Sequence, residues 1–287
     1  MFDNSAKPHP VVVITGASSG IGKASAAEFA RMGWHVIATG RDPARCDAAE
    51  AELRAFGKVD FLRGDFAEMA DVRRVAREVA ALTDKVHVLV NNAGGIRDGL
   101  YVSSEGLEAT FAANHLAPFL LTRELLPLLE HAAQDSPPGT VRVIGVSSLA
   151  HEQAKAMRWD DLMMLDDFAT GPAYCQAKLA NLLFTRELAS RLADKGITAQ
   201  AMHPGKVGSN FWSHGEASLQ AYGKGQDLVS PEQSARTIVW LATAPEAGVN
   251  GGRYFHDLAE IAAAPQALDD AAAARLWQES ERILADL

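Results

Sequence analysis

The stretch at residues 11–22 reads VVVITGASSGIG, and it decides the fold. Its first four residues form an unbroken apolar, mostly β-branched run, which predicts a strand buried on both faces of a parallel sheet. Gly16, Gly20 and Gly22 follow at once and lead into a helical pattern that stops at Gly33. A strand, a Gly-rich turn and a helix in this order let backbone N–H groups approach a pyrophosphate. The stretch therefore predicts a dinucleotide site, although glycines that only punctuate a turn would leave the same pattern.

Strands and helices continue to alternate along the rest of the chain. Further strands are predicted at residues 35–39, 59–63, 86–90, 140–146 and 197–202, and residues 249–255 are predicted as a turn into a last strand. Helices are predicted between them at residues 43–56, 68–82, 104–130, 172–193, 231–242 and 269–284. This alternation predicts an α/β fold with a doubly wound parallel sheet of the Rossmann type. Because no repeat, charge block or linker divides residues 1–287, we expect one domain with a closing C-terminal helix.

Composition excludes several other classes of protein. The chain is 48% apolar and 22% charged, with a net charge of −9 and no basic stripe, so neither nucleic acid nor an anionic membrane is expected as a partner. Cys46 and Cys175 are the two cysteines, and no Cys/His cluster occurs, so we expect neither a disulfide framework nor a metal. The chain has no signal-peptide pattern and no apolar run of membrane-spanning length. We therefore predict a cytoplasmic protein.

Tyr174 and Lys178 stand four residues apart in a helical pattern, so their side chains share one face. A tyrosine alone has a pKa of about 10 and is a poor acid or base at neutral pH. A fixed cation nearby stabilises the phenolate and lowers that pKa. The pair therefore predicts an acid/base catalyst, with a half-exposed aromatic beside a solvated lysine as the alternative.

Together these motifs resemble those of the short-chain dehydrogenase/reductase family. With Thr15 in front, the glycines match its T-G-x3-G-x-G fingerprint, and residues 91–94 match its N-N-A-G motif. The stretches SSLAH at 147–151 and YCQAKLAN at 174–181 resemble the retinol dehydrogenase-like branch. The motifs extend from Val11 to Phe255.

The resemblance implies four catalytic residues, Asn114, Ser148, Tyr174 and Lys178. Tyr174 exchanges a proton with the substrate oxygen, which Ser148 orients. Lys178 lowers the pKa of Tyr174 and binds the nicotinamide ribose, and Asn114 supports a water relay. An asparagine on a solvated helix face is the alternative for Asn114.

The resemblance also implies a set of cofactor contacts at the ends of the strands. They are Gly16, Ser18, Ser19, Gly20, Ile21, Gly22, Arg41, Asp65, Phe66, Asn92, Ala93, Gly94, Tyr174, Lys178, Pro204, Gly205, Val207 and Ser209. Arg41 follows the second strand, where an NAD site carries an acidic residue, and its planar fork suits a 2′-phosphate. We therefore expect NADP(H) to be preferred, with NAD(H) left open. A solvated loop arginine is the alternative for Arg41, and a helix cap is the alternative for Asp65.

Two segments are expected on the substrate side. Ser148 and Tyr174 are 26 positions apart, farther than is usual in the family, which indicates an insertion at 149–171. The Gly-rich stretch at 206–230 is interpreted as a lid, with an ordinary surface loop as the alternative. Apolar residues in both segments favour a lipophilic carbonyl or alcohol substrate.

The complete four-residue set favours an oxidoreductase over a catalytically inactive nucleotide-binding sensor or scaffold of the same fold. The resemblance leaves both a homodimer and a homotetramer open.

Overall fold

The computed structural model describes residues 9–208 and 228–287. Strands in these residues form one sheet in the order β3-β2-β1-β4-β5-β6-β7-β8, and only β7 and β8 pair antiparallel. The strands are β1 (Val11–Ile14), β2 (His35–Gly40), β3 (Val59–Arg63), β4 (Val88–Asn91), β5 (Val141–Val146), β6 (Ile197–Met202), β7 (Tyr254–His256) and β8 (Ala259–Glu260). The predicted doubly wound parallel sheet is confirmed.

Helices cover both faces of the sheet. They are α1 (Gly20–Arg31), α2 (Pro43–Leu53), α3 (Met69–Leu82), α4 (Ala109–Phe111), α5 (Ala117–Gln134), α6 (Thr170–Leu192), α7 (Pro231–Thr243) and α8 (Asp270–Ala285). One apolar layer includes Phe29 of α1 and Leu241 of α7, and the other includes Leu120 of α5 and Leu183 of α6. Each layer fills one side of the sheet.

Strand β1 is an interior strand of the sheet and contributes to both layers. Val11 and Val13 pack into one layer, and Val12 and Ile14 into the other, because side chains alternate across a strand. This double burial explains why β1 has no polar position. Strand β1 pairs with β2 on one side and with β4 on the other. The direction in which successive strands are added to the sheet therefore reverses between β1 and β4. Ligands of such sheets bind at this reversal, outside the carboxyl ends of the strands.

The helix predicted at 104–130 differs from the observed one. It begins at Ala109 and continues to Gln134, and a π-helical turn at Ala112–Leu116 joins α4 to α5. The carboxylate of Glu108 accepts hydrogen bonds from the first N–H groups of α4, at 2.6 and 2.7 Å. Pro118 follows the π-helical turn and cannot donate a backbone hydrogen bond, which disrupts the regular ladder.

Strand β8 was not predicted. It consists of Ala259–Glu260 and forms a hairpin with β7 through Asp257 and Leu258, both with positive φ. Hairpin turns of this kind usually contain Asn-Gly or Asp-Gly, so the sequence carried no signal for it. The other predicted bounds agree with the structure to within a few residues.

The 149–171 segment folds against the core. Met157, Leu162 and Met164 are buried. Gln176 of α6 holds the segment, since its side chain accepts a hydrogen bond from the N–H of Arg158 and donates one to the carbonyl of Leu162, both at 2.8 Å.

Within residues 9–208 and 228–287, no helix combines the length and apolar character that a membrane crossing requires. The same residues contain no cluster of three or more His, Cys, Asp or Glu side chains arranged to hold a metal ion.

Candidate active site

A cavity of about 630 Å³ opens at the carboxyl ends of β1, β4, β5 and β6. Its volume is within the range of cofactor and ligand sites. The predicted site residues that line it are Gly16, Ser18, Ser19, Gly20, Ile21, Gly22, Arg41, Asp65, Phe66, Asn92, Ala93, Gly94, Ser148, Tyr174, Lys178, Pro204, Gly205 and Val207. Asn114 lies directly behind the lining, and Ser209 lies outside the described residues, as does most of the 206–230 stretch.

The Gly-rich turn forms one wall of the cavity. Gly16 and Gly20 have φ of +68° and +55°, which residues with a Cβ rarely adopt. A Cβ on Gly22 would lie 2.4 Å from the carbonyl oxygen of Gly16, so no larger residue fits there. The side chain of Ser19 does not cap α1, so the first N–H groups of that helix remain for an anion. These features fit the diphosphate of a dinucleotide.

Thr15 and Asn92 join the ends of β1 and β4. The Thr15 hydroxyl accepts hydrogen bonds from the N–H groups of Asn92 and Ala93, at 2.9 and 2.8 Å. The Asn92 amide donates to the carbonyls of Thr15 and Gly16, at 2.8 and 3.2 Å. The two loops that flank the crevice are therefore held to each other by side chains from both.

Arg41 and Asp65 meet at the end of the cavity beyond β2 and β3. The Arg41 guanidinium lies 3.5 Å from the Asp65 carboxylate. The alternative role of Asp65 as a cap of α3 is not observed. The carboxylate instead accepts a hydrogen bond from Ala67, in the turn before that helix. The first N–H groups of α3 donate to the carboxylate of Glu105.

Asn114 lies on the π-helical turn and is only 1% exposed, which excludes a solvated helix face. Its amide donates hydrogen bonds to the carbonyls of Gly95 and Thr110, both at 2.8 Å, and its oxygen accepts one from the Gly95 N–H at 3.1 Å. The side chain thus joins the helix to the loop after β4. Gly94 has no room for a Cβ beside it, because that atom would lie 2.4 Å from the Asn114 oxygen.

Ser148 and Tyr174 meet across the cavity. Ser148 follows β5, and its hydroxyl accepts a hydrogen bond from the N–H of Ala150 at 3.2 Å. Tyr174 lies in the first turns of α6, and its hydroxyl is hydrogen-bonded to Ser148. Loss of hydration raises the pKa of Tyr174 above its usual value, and the hydrogen bond from Ser148 opposes this only partly. This direction is opposite to the lowered pKa expected from Lys178.

The position of Lys178 explains why the pKa of Tyr174 is not lowered. Its ammonium lies 5.5 Å from the centre of the Tyr174 ring and donates a hydrogen bond to the carbonyl of Val146 at 3.0 Å. The side chain is only 5% exposed, and burial lowers its pKa to about 7. Burial therefore disfavours the charged form of both residues, and neither pKa is shifted by the charge of the other.

Ser148 is also fixed from the C-terminal side. The Nδ1 of His151 donates a hydrogen bond to the carbonyl of Ser148 at 2.7 Å, and its Nε2 accepts one from the N–H of Ala264 at 3.1 Å. His151 is fully buried. The segment before α8 therefore supports the loop that presents Ser148.

Several lining residues were not predicted. Among them are Arg97, Leu149, Cys175 and His203. Each stands within a few positions of a motif that the sequence did reveal, and this proximity is the only available signal. Which residues next to a motif face the cavity depends on the conformation of the loop, and hydrophobic periodicity in the sequence does not predict loop conformation.

Comparison with known proteins agrees with this geometry. The family model described as short chain dehydrogenase matches residues 10–218. Retinol dehydrogenase 13 of Homo sapiens is 38% identical over 288 residues, which covers 96% of this chain and 85% of the relative.

Two solved structures have the same fold. An uncharacterized protein from Mycobacterium Paratuberculosis superposes with a TM-score of 0.75 at 32% identity, covering 96% of this chain and 93% of that one. A short-chain dehydrogenase from Sphingobium yanoikuyae, in complex with NADPH, has a TM-score of 0.62 at 25% identity, covering 81% and 83%. These matches confirm the resemblance inferred from the motifs: the chain belongs to the short-chain dehydrogenase family and is an NAD(P)-dependent oxidoreductase of alcohol and carbonyl groups.

Proposed function

We propose that the protein is an NADP(H)-dependent oxidoreductase in which Tyr174 exchanges a proton with the substrate oxygen. The observation that carries this proposal is the hydrogen bond between Tyr174 and Ser148, inside the cavity that the Gly-rich turn also lines. The cavity thus combines a cradle for a dinucleotide with a proton donor. When bound, the nicotinamide supplies or accepts the hydride.

Tyr174 and Ser148 act on the oxygen of the substrate. The raised pKa of Tyr174 keeps its hydroxyl protonated at neutral pH, so it can donate to a carbonyl oxygen that gains negative charge. Ser148 lies within hydrogen-bonding reach of Tyr174 and orients the same oxygen. This protonation state favours reduction of a carbonyl.

Lys178 and Asn114 support the proton donor. With a pKa of about 7, Lys178 can take up or release a proton near neutral pH, and we assign it to the nicotinamide ribose. A Cβ on Gly94 would lie 2.4 Å from the Asn114 oxygen and 3.7 Å from the Lys178 nitrogen, so both groups border the same backbone. We propose that the water relay runs along this border.

Cofactor and substrate classes follow from the two ends of the cavity. Arg41 lies at the adenosine end, where its guanidinium suits a 2′-phosphate. The similar Sphingobium yanoikuyae dehydrogenase is a complex with NADPH. Beside Ser148, Leu149 provides apolar surface to the cavity. Similarity to retinol dehydrogenase 13 agrees with a lipophilic alcohol or carbonyl.

Activity measured with purified protein tests the proposal. NADPH and NADH would each be mixed with lipophilic aldehydes, including retinal, and with short polar aldehydes as controls, while absorbance of the reduced nicotinamide is followed. We expect faster consumption of NADPH than of NADH, and turnover of lipophilic aldehydes above the polar ones. Equal rates with both cofactors would contradict the NADP(H) assignment. Binding of NADPH without turnover of any carbonyl or alcohol would favour the inactive sensor instead.

A further inference from the structure

Arg97 is a charged residue of the cavity that takes no part in the proposed proton transfer. It follows Gly94 by three positions, on the loop after β4, and lines the same cavity as Arg41 and Asp65. Its guanidinium is partly buried, and within residues 9–208 and 228–287 it has no hydrogen bond or ion pair. A partly buried cation without a hydrogen-bond or ion-pair partner is unfavourable, and an anionic ligand would relieve this cost.

The charges around Arg97 show an excess of cations at this end of the cavity. Arg41 lies 3.5 Å from Asp65, and Arg45 lies 3.8 Å from Asp42. Asp65 and Asp42, the two carboxylates that line this end, each pair with another arginine. Glu108 also attracts Arg97, but its carboxylate accepts hydrogen bonds from the first N–H groups of α4, so no carboxylate is paired with Arg97 alone. The excess is local, since the whole chain carries a net charge of −9.

Arg97 and Arg41 are close enough to repel each other. Burial is the main cause that lowers the pKa of Arg97, and repulsion by Arg41 is the next, with Asp65 and Glu108 opposing both. Two guanidinium groups that approach each other from separate loops are typical of a site for a doubly charged anion. A phosphate monoester carries about −1.5 to −2 charges at pH 7 and accepts several strong hydrogen bonds.

We propose that Arg97 is a second binding residue for the 2′-phosphate of NADP(H), acting together with Arg41. Arg41 comes from the end of β2 and Arg97 from the loop after β4, so the phosphate would tie together the two sides of the crevice. The inference rests on the proposed preference for NADP(H), and it adds a residue from the loop after β4 to a site that sequence motifs assign to the end of β2.

Direct binding measurements test the role of Arg97 without reference to turnover. Arg97→Gln, Arg41→Ala and wild type would be titrated with NADPH and with NADH, using the quenching of protein fluorescence. Adenosine 2′-monophosphate and adenosine 5′-monophosphate would then be tested as competitors. Arg77→Gln provides a matched control, because Arg77 is an exposed arginine on α3 outside the cavity.

We expect Arg97→Gln to weaken NADPH binding by about tenfold or more, as is usual for loss of a charged hydrogen bond. Its affinity for NADH should change less than about twofold, which also shows that the variant is folded. Competition by adenosine 2′-monophosphate should weaken in parallel, and Arg77→Gln should behave as wild type.

Two outcomes would overturn the inference and leave the NADP(H) proposal intact. In the first, Arg41→Ala loses the preference for NADPH while Arg97→Gln keeps it. In the second, Arg97→Gln weakens NADPH and NADH equally, which would assign Arg97 to the diphosphate common to both. Wild-type protein that binds NADPH and NADH equally would overturn the NADP(H) proposal and the inference together.

Discussion

The imidazole Nε2 of His115 lies 2.8 Å from the hydroxyl of Ser280, which joins α8 to the π-helical turn that carries Asn114. Ser280 donates its own proton to the carbonyl of Leu276 at 2.7 Å, so it accepts from His115. Both side chains are fully buried, and burial lowers the pKa of His115 to about 3. The closing helix thus supports the turn behind the candidate active site through a neutral histidine.

Replacing Ser280 with alanine should destabilise the fold. The substitution leaves the Nε2–H of His115 buried without an acceptor, which costs about 1–3 kcal/mol. Urea denaturation of wild type and Ser280→Ala would measure the loss. Glu281→Ala, at the neighbouring exposed position, should change the free energy of unfolding by less than about 0.5 kcal/mol. Equal stability of the two variants would exclude a role for the His115–Ser280 bond.

Lys178 should make stability depend on pH. Its pKa is about 7 in the folded protein and near 10.5 in the unfolded chain, so between these values the unfolded chain binds more protons. Stability therefore rises with pH in this window, and the penalty for burying Lys178 is fully present below about pH 7. Relative to Lys178→Met, the free energy of unfolding of the wild type should rise by at most about 1.4 kcal/mol per pH unit. Denaturation of both proteins from pH 7 to pH 10 would measure this difference. If the free energies of unfolding of the two proteins changed with pH in parallel, the pKa of Lys178 would not be lowered in the folded protein.

Adding a methyl group at Gly22 should distort the Gly-rich turn. A Cβ there would lie 2.4 Å from the Gly16 carbonyl oxygen and 2.6 Å from the Asn92 amide nitrogen. We expect Gly22→Ala to lower the affinity for NADPH by about tenfold or more and to lower the melting temperature, because backbone must move. Gly171→Ala is the steric control for the melting temperature, since no atom lies within 4 Å of its added Cβ. A melting temperature of Gly22→Ala equal to that of the control would contradict the close contact.

Removing the hydroxyl of Tyr174 should separate binding from turnover. In Tyr174→Phe the ring still fills its place on α6, but no proton can pass to the substrate oxygen. We expect turnover to fall by about 100-fold or more, the usual contribution of acid/base catalysis, with the affinity for NADPH changed less than about threefold. Steady-state kinetics and fluorescence titration of one preparation would measure both. Substantial residual activity would remove Tyr174 from its proposed role.

Some of the site could be predicted because its residues act through local sequence. The VVVI run and the glycines that follow it fall on one strand, one turn and one helix, and each has a period or a steric requirement visible in the sequence. Tyr174 and Lys178 are likewise neighbours on one helix face. Arg97, His151 and Ser280 have no such pattern, because the groups they meet include residues that are distant in sequence: Arg41 for Arg97, Ala264 for His151 and His115 for Ser280.

The sequence by itself determined the order of strands and helices, the family and the residues around the Gly-rich turn. Only the tertiary structure decided the protonation states of the candidate catalytic residues and the hydrogen bonds that they make. The spacing of Tyr174 and Lys178 predicts a lowered tyrosine pKa, but the fold buries Lys178 and partly buries Tyr174, and loss of hydration raises the tyrosine pKa. The sequence left a solvated helix face open for Asn114, whereas the π-helical turn directs its side chain to hydrogen bonds with the Gly95 backbone. Hydration and hydrogen-bond partners are properties of the packed molecule, since they depend on which distant segments exclude water from each group.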